Sequence, residues 1–115
     1  MNFILHIAYG AAWQQAQAQG AYRGNTLETE GFIHCSLPEQ AVPVADALYK
    51  GRTDLVLLCI DENKVAADVR YEDCYDSGQA FPHIYGPLNL DAVVSVVDFP
   101  PNADGTFTLP KLEVT

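Results

Sequence analysis

Positive charge is what this chain has least of: six lysines and arginines stand against fifteen aspartates and glutamates, for a net charge of -9. A surface of that sign repels polyanions and argues against nucleic acid as a partner. Cysteine is also scarce. Cys35, Cys59 and Cys74 are odd in number, widely spaced and without a Cys-x-x-Cys pair, so neither a disulfide frame nor a zinc-finger spacing is present. Long apolar runs are missing too, because Leu55 to Ile60 and Ala92 to Val97 fall far short of the roughly 20 residues that span a bilayer. The start, Met1-Asn2-Phe3-Ile4-Leu5-His6, carries neither the basic residues nor the small-residue cleavage site of a secretory leader. The expectation is a cytoplasmic protein with reduced thiols and no membrane partner. No phosphate-cradling glycine-rich loop and no Gly-x-Ser-x-Gly elbow occurs.

What is present suits one globular unit. With 115 residues, 49% of them hydrophobic and 18% charged, the chain can build a single core, and residues 1–115 read as one domain. Phe3 to Ala8 reads as a strand, followed by a helix with Ala12, Trp13 and Ala16 on one stripe and Gly20 at its end. Ala21 to Glu30 reads as a loop, and Phe32 to Ser36 as a second strand. Ser36-Leu37-Pro38-Glu39 fits a capping box, with Ser36 as N-cap of a helix reaching Tyr49-Lys50 before Gly51. Pro43 must either kink that helix or move its start downstream. Leu55 to Ile60, apolar without alternation, is expected at a sheet centre covered on both faces. Val69 to Glu72 is a short strand, Asp73 to Ala80 a polar loop, and Phe81 to Pro87, bounded by Pro82 and Pro87, a short edge strand at best. Ala92 to Phe99 and Thr106 to Leu109 complete the strands. Two helices near the N-terminus and strands throughout predict an α+β fold.

The three histidines, His6, His34 and His83, are expected to face one shared pocket. Side chains alternate along a strand, so His34 shares a face with Phe32 and Ser36, and His83 shares one with Phe81 and Tyr85. Both segments have the form Phe-x-His-x-hydroxyl: an aromatic, an imidazole and a hydroxyl along one face suit a lined cleft wall. His6 lies on the face of its strand that carries Ile4 and Ala8. Each histidine has a plainer reading as a satisfied residue in a sheet, Ser36 as a helix cap, and Tyr85 as a packed aromatic. Trp13 and Tyr22 suit either the core or a pocket wall.

Three imidazoles with one open position would also suit a catalytic zinc, although no His-x-His or His-x-x-x-His pair supplies the usual spacing. No metal is therefore expected. His34 and Cys35 are adjacent but point to opposite strand faces, which excludes a hydrogen-bonded nucleophile pair. Cys74 lies amid Glu72, Asp73 and Asp76, a surround that disfavours a thiolate nucleophile. Among the acids, Glu72 ends an apolar alternation from Val69 to Tyr71. It suits a carboxylate that binds a sugar hydroxyl or steadies a cationic transition state, or a solvated strand-end acid.

His6, the run Gly31-Phe32-Ile33-His34-Cys35-Ser36, Tyr71-Glu72 and the run Phe81-Pro82-His83-Ile84-Tyr85-Gly86-Pro87-Leu88 together resemble the signature of a bacterial family catalogued as domain of unknown function 952. The resemblance covers nearly the whole chain. It implies a distant kinship with the ADP-ribosyltransferase and RNA 2'-phosphotransferase superfamily, whose split-sheet α+β fold binds NAD in a cleft between two small sheets. By that resemblance the fold is a small split-sheet, ADP-ribosyltransferase-like one, with mostly antiparallel strands. His6 would hold an adenosine ribose, His34 with Ser36 would line the nicotinamide side, and Glu72, His83 and Tyr85 would complete the site. His34, Glu72 and His83 are then the candidate catalytic residues, with His6, Ser36 and Tyr85 as candidate contacts to NAD or another nucleotide. The sequence departs from the superfamily in lacking a clear final catalytic glutamate and most arginines of the RNA-processing branch; Arg23 and Arg52 are the nearby cations. A ligand-binding domain without turnover and a three-histidine metal hydrolase stand as the alternatives.

Overall fold

The computed structural model describes residues 3–74 and 76–112. Met1 and Asn2, where the reading for a leader begins, lie outside them, as do Tyr75 and residues 113–115. Strand β1 (Phe3–Tyr9) is followed by helix α1 (Gly10–Gln19), which Gly20 ends in the left-handed conformation at φ 87°, as its lack of a Cβ allows. The segment read as a loop holds a short strand, β2 (Ala21–Tyr22), and a single helical turn, α2 (Leu27–Glu30). Then come β3 (Ile33–His34), α3 (Pro38–Leu48), β4 (Leu55–Asp61), β5 (Asp68–Glu72), β6 (Phe81–Tyr85), β7 (Leu88–Asn89) and β8 (Val93–Asp98).

These strands form three small antiparallel sheets, in the orders β1-β4-β8, β2-β7 and β3-β6-β5. The fold is α+β. In the first sheet β4 is central, as its unbroken apolar run predicts. Leu58 and Ile60 face one cluster with Ile4, Ala8, Ile33 and Ile84. Leu55 and Leu57 face a second cluster with Phe99 and Phe107. Leu57, Leu58, Cys59 and Ile60 are completely buried. A strand with both faces covered has no solvent side to mark with polar residues, hence the absence of alternation.

β1 also forms the seam between the first and third sheets. Leu5 and Ser36 exchange both backbone hydrogen bonds at 2.7 Å. This bridge corrects the expected helix cap. Ser36 is held extended by β1, and the helix begins at Pro38, so the cap position falls on Leu37. Gln40 accepts the Leu37 N–H at 2.9 Å through its side-chain oxygen, a task the sequence pattern gives to Glu39. α3 continues through Pro43 without moving its start, although Pro43 has no N–H to offer the Glu39 carbonyl.

Two further expectations fail. Phe81–Tyr85 is no edge strand: β6 runs between β3 and β5. Its proline is tolerated because a residue's N–H and C=O point to the same side of an antiparallel strand. The Pro82 carbonyl faces β3, accepting from the Cys35 N–H at 3.0 Å, and the ladder to β3 spans just Ile33 and His34. The missing donor therefore falls where that ladder has ended. Thr106 to Leu109 is not a strand but an irregular segment, anchored by burial of Phe107 against Phe99 and by its N–H to the Asp46 carboxylate at 2.8 Å.

Candidate functional site

One face of the β3-β6-β5 sheet carries most of the residues singled out by the Phe-x-His-x-hydroxyl pattern. His34 and His83 are direct cross-strand partners, and so are His83 and Arg70, while Glu72 pairs with Phe81. Phe32 packs among them. Its ring stacks on His83 with centroids 4.2 Å apart and lies 4.8 Å from His34 and 5.2 Å from Tyr85. Alternation alone puts these side chains on one face; the antiparallel register brings them into contact.

His6 reaches the same region from β1. One ring nitrogen, Nδ1, lies 2.5 Å from the His34 carbonyl, so it must carry the proton and donate; Nε2 then accepts from the Tyr22 hydroxyl at 2.8 Å. Burial pushes the His6 imidazole down to about 4, against a partial upward pull from the His34 carbonyl, and keeps it neutral at physiological pH. Tyr22, open between core and pocket in the sequence, is core: it is buried, and burial raises its phenol above the ordinary range.

A cavity of about 560 Å³ opens between α3 and this part of the molecule. His6, His34, Ser36 and Phe81 line it on the sheet side, Pro43, Val44 and Ala47 on the helix side, and Asn25 and Thr26 on the loop before α2. Glu30, at its rim, pairs with the Nε2 of His34 at 3.1 Å. Gln40 also lines it and donates to the Ala80 carbonyl at 3.0 Å, tying α3 to the loop between β5 and β6. Among the described residues no lysine or arginine belongs to the lining.

His83, Glu72 and Tyr85 are not part of that lining. His83 is completely buried, its ring centroid 5.3 Å from that of His34. Its Nδ1 lies 3.0 Å from Glu72 Oε1, and the Tyr85 hydroxyl donates to the same oxygen. These two donors hold the Glu72 carboxyl below the usual carboxylate range, Tyr85 contributing most, with Arg70 adding a smaller effect. The carboxylate in turn raises the Tyr85 phenol. Arg70 covers the outer face of the Tyr85 ring at 4.5 Å. Cys74 Sγ is 3.9 Å from His83 Nδ1, and the Glu72, Cys74 and His83 donor atoms lie within 4.8 Å of one another. The structure thus brings His6, His34 and Ser36 to a cavity, and His83, Glu72 and Tyr85 to an adjoining polar cluster, so the three histidines do not all line one pocket as expected.

Four contributors escaped the sequence reading. Arg70 was legible, since it stands two residues from Glu72 and must share its face. Glu30 and Gln40 left no local signal, because their parts depend on the approach of α2 and α3 to the sheet. Cys74 drew notice as a nucleophile alone, and its neighbour His83 is set by the return of the chain through the loop from Asp73 to Ala80.

The sequence profile of the family described as Protein of unknown function (DUF952) matches residues 7–96. No curated protein matches the chain. Among solved structures, the crystal structure of protein CC0527 from Caulobacter crescentus is 34% identical, with 94% of this chain and 95% of that one covered and a TM-score of 0.85. The solution NMR structure of CC0527 gives 35% identity, coverage of 95% and 94%, and a TM-score of 0.82. With the match spanning most of the chain, and the same fold in a protein a third identical, the protein belongs to the DUF952 family.

Proposed function

We propose that this protein binds a ribose-bearing small molecule, NAD or a related nucleotide or nucleoside, in the cavity between α3 and the β3-β6-β5 sheet. The observation that carries the reading is the convergence of His6, His34 and Ser36, with Gln40, on one cavity of about 560 Å³ whose remaining wall is largely apolar. An apolar body with a few convergent polar groups is the usual form of a small-molecule site. A base would lie against Phe81 and the α3 side chains, and sugar hydroxyls would reach His34 and Ser36, with His6, both of its nitrogens already bonded, holding the His34 backbone in place. The division into small antiparallel sheets is in keeping with the split-sheet superfamily that the sequence motifs resemble.

The lining also limits the ligand. With no lysine or arginine among the described lining residues, a pyrophosphate gains little by entering, so the nucleoside portion carries the affinity. Saturation-transfer NMR with NAD, ADP-ribose, adenosine and nicotinamide riboside tests this. At least one nucleoside is expected to bind within about tenfold of NAD, a difference of roughly 1.4 kcal/mol at most. His34→Ala is expected to weaken it. Absence of any saturation transfer at millimolar ligand would overturn the reading.

Binding without ribosyl transfer is favoured over catalysis by one observation: Glu72 and His83, the groups that would stabilise an oxocarbenium-like ribose, lie outside the cavity lining. Incubation with NAD is expected to release no nicotinamide over hours. Release abolished by Glu72→Gln would reverse that preference.

A further inference from the structure

The geometry points to a second site on this chain: a thiophilic divalent cation of the zinc class, held by Glu72, Cys74 and His83. The three donors are a carboxylate oxygen, a sulfur and an imidazole nitrogen, all within 4.8 Å of one another. Zinc–ligand bonds of about 2.0–2.3 Å put neighbouring donors in a tetrahedron roughly 3.3–3.7 Å apart. The His83–Glu72 and His83–Cys74 separations, 3.0 and 3.9 Å, straddle that range. Side-chain rotation must draw all three donors, now within 4.8 Å of one another, to that spacing to admit an ion.

The orientation of His83 supports the assignment. The ring is clamped by its stack on Phe32, and its Nε2 is buried without a hydrogen-bond partner. A buried polar atom left unpaired is destabilising, so the ring is held in this orientation by what its other nitrogen meets. Every polar contact described for the ring is instead made by Nδ1, the nitrogen aimed at Glu72 and Cys74. A relay between thiol and carboxylate would use both ring nitrogens, whereas here both neighbours meet the same one. Convergence on one nitrogen is what a shared metal ion requires.

The donor set selects the class of ion. A thiolate and an imidazole favour zinc over magnesium or calcium, which take oxygen ligands. Three protein donors leave a fourth position, and the exposure of Cys74 makes it reachable by water. Binding converts the Cys74 thiol to a thiolate and releases its proton to solvent, and the His83 ring takes the tautomer with its proton on Nε2, which frees the Nδ1 lone pair for the ion. The Tyr85 hydroxyl, bonded to Glu72 Oε1, would then hold the ligating carboxylate from outside, so Tyr85 is a positioning residue. The three-imidazole zinc site suggested by histidine count is a different set of ligands.

Chelator-treated protein titrated with Co²⁺ and Zn²⁺ tests the site. One ion per chain is expected, with a near-ultraviolet thiolate-to-cobalt charge-transfer band that zinc abolishes by displacement. Cys74→Ser, a change at an exposed residue, is expected to lose the band and the tight binding while keeping the native circular dichroism. Tyr85→Phe should weaken binding by about 10–100-fold with the band retained. Failure to bind either ion stoichiometrically, binding without the thiolate band, or full affinity in Cys74→Ser would each overturn the proposal. Nucleotide binding enters none of these readouts, so the two sites stand or fall separately.

Discussion

The β1-β4-β8 and β3-β6-β5 sheets meet at the Leu5–Ser36 bridge, yet they are made of different material. The first is apolar on both faces of its central strand, with Leu57, Leu58, Cys59 and Ile60 out of water. The second is two-sided. Ile33 and Ile84 turn to the core, while His34, His83, Tyr85, Arg70 and Glu72 share the opposite face with Phe32. Its central strand even carries a proline. Such a sheet could not sustain the fold by itself, since each polar group on it must be paired or wet. The apolar sheet supplies the burial that lets its neighbour carry imidazoles and a carboxylate.

That division predicts where substitutions cost most. Leu58→Ala, at the centre of the apolar sheet, is expected to lower unfolding free energy in urea by about 2–5 kcal/mol through lost burial and a residual cavity. A loss below about 1 kcal/mol would mean that β4 is not the mechanical centre of the fold.

His6 tests the seam. Its ordinary pKa of 6.5 is pushed down to about 4 in the folded chain by burial. Between those values the unfolded chain takes up a proton that the folded chain refuses, so stability falls as pH drops from 6.5 towards 4. The decline attributable to this group is roughly 3 kcal/mol, at 1.36 kcal/mol per unit. Urea titrations across that range should show the slope in the parent and a flatter profile in His6→Gln. Equal slopes would place the His6 imidazole in water rather than between the His34 carbonyl and Tyr22.

Glu72→Gln probes the polar face and should perturb the fold least. Removing the carboxylate charge is expected to bring the Tyr85 phenol back down towards its ordinary value, seen in an ultraviolet titration of tyrosine ionisation, with a change in melting temperature well below that of Leu58→Ala. The sign follows from the raised Tyr85 phenol, held protonated by donation to Glu72. A collapse in stability comparable to Leu58→Ala would erase the distinction between the two sheets.

Much of this was legible in the sequence where the signal is local. The continuous apolar run of Leu55 to Ile60 announced a strand covered on both faces, Gly20 announced a helix end, and the period of two set Phe32 with His34 and His83 with Tyr85 before any partner was known. Pro82 misled because a proline forbids a hydrogen bond on one side of a strand but does not say how far the neighbouring ladder on that side runs. Ser36 misled for a similar reason: its spacing to Glu39 fits a cap, but β1 had a stronger claim on its backbone, with two hydrogen bonds at 2.7 Å.

The sequence by itself determined the faces, since side-chain direction along a strand follows from backbone geometry at each residue and needs no partner. It also determined the family, through motifs that extend along most of the chain. Only the tertiary structure decided which faces meet. The contact of His34 with His83, which itself lies outside the cavity lining, and the approach of Cys74 to His83 arise from β6 entering between β3 and β5 and from the loop that returns the chain to it. Strand order and loop closure are set by the balance of burial over the whole molecule, which no local spacing records.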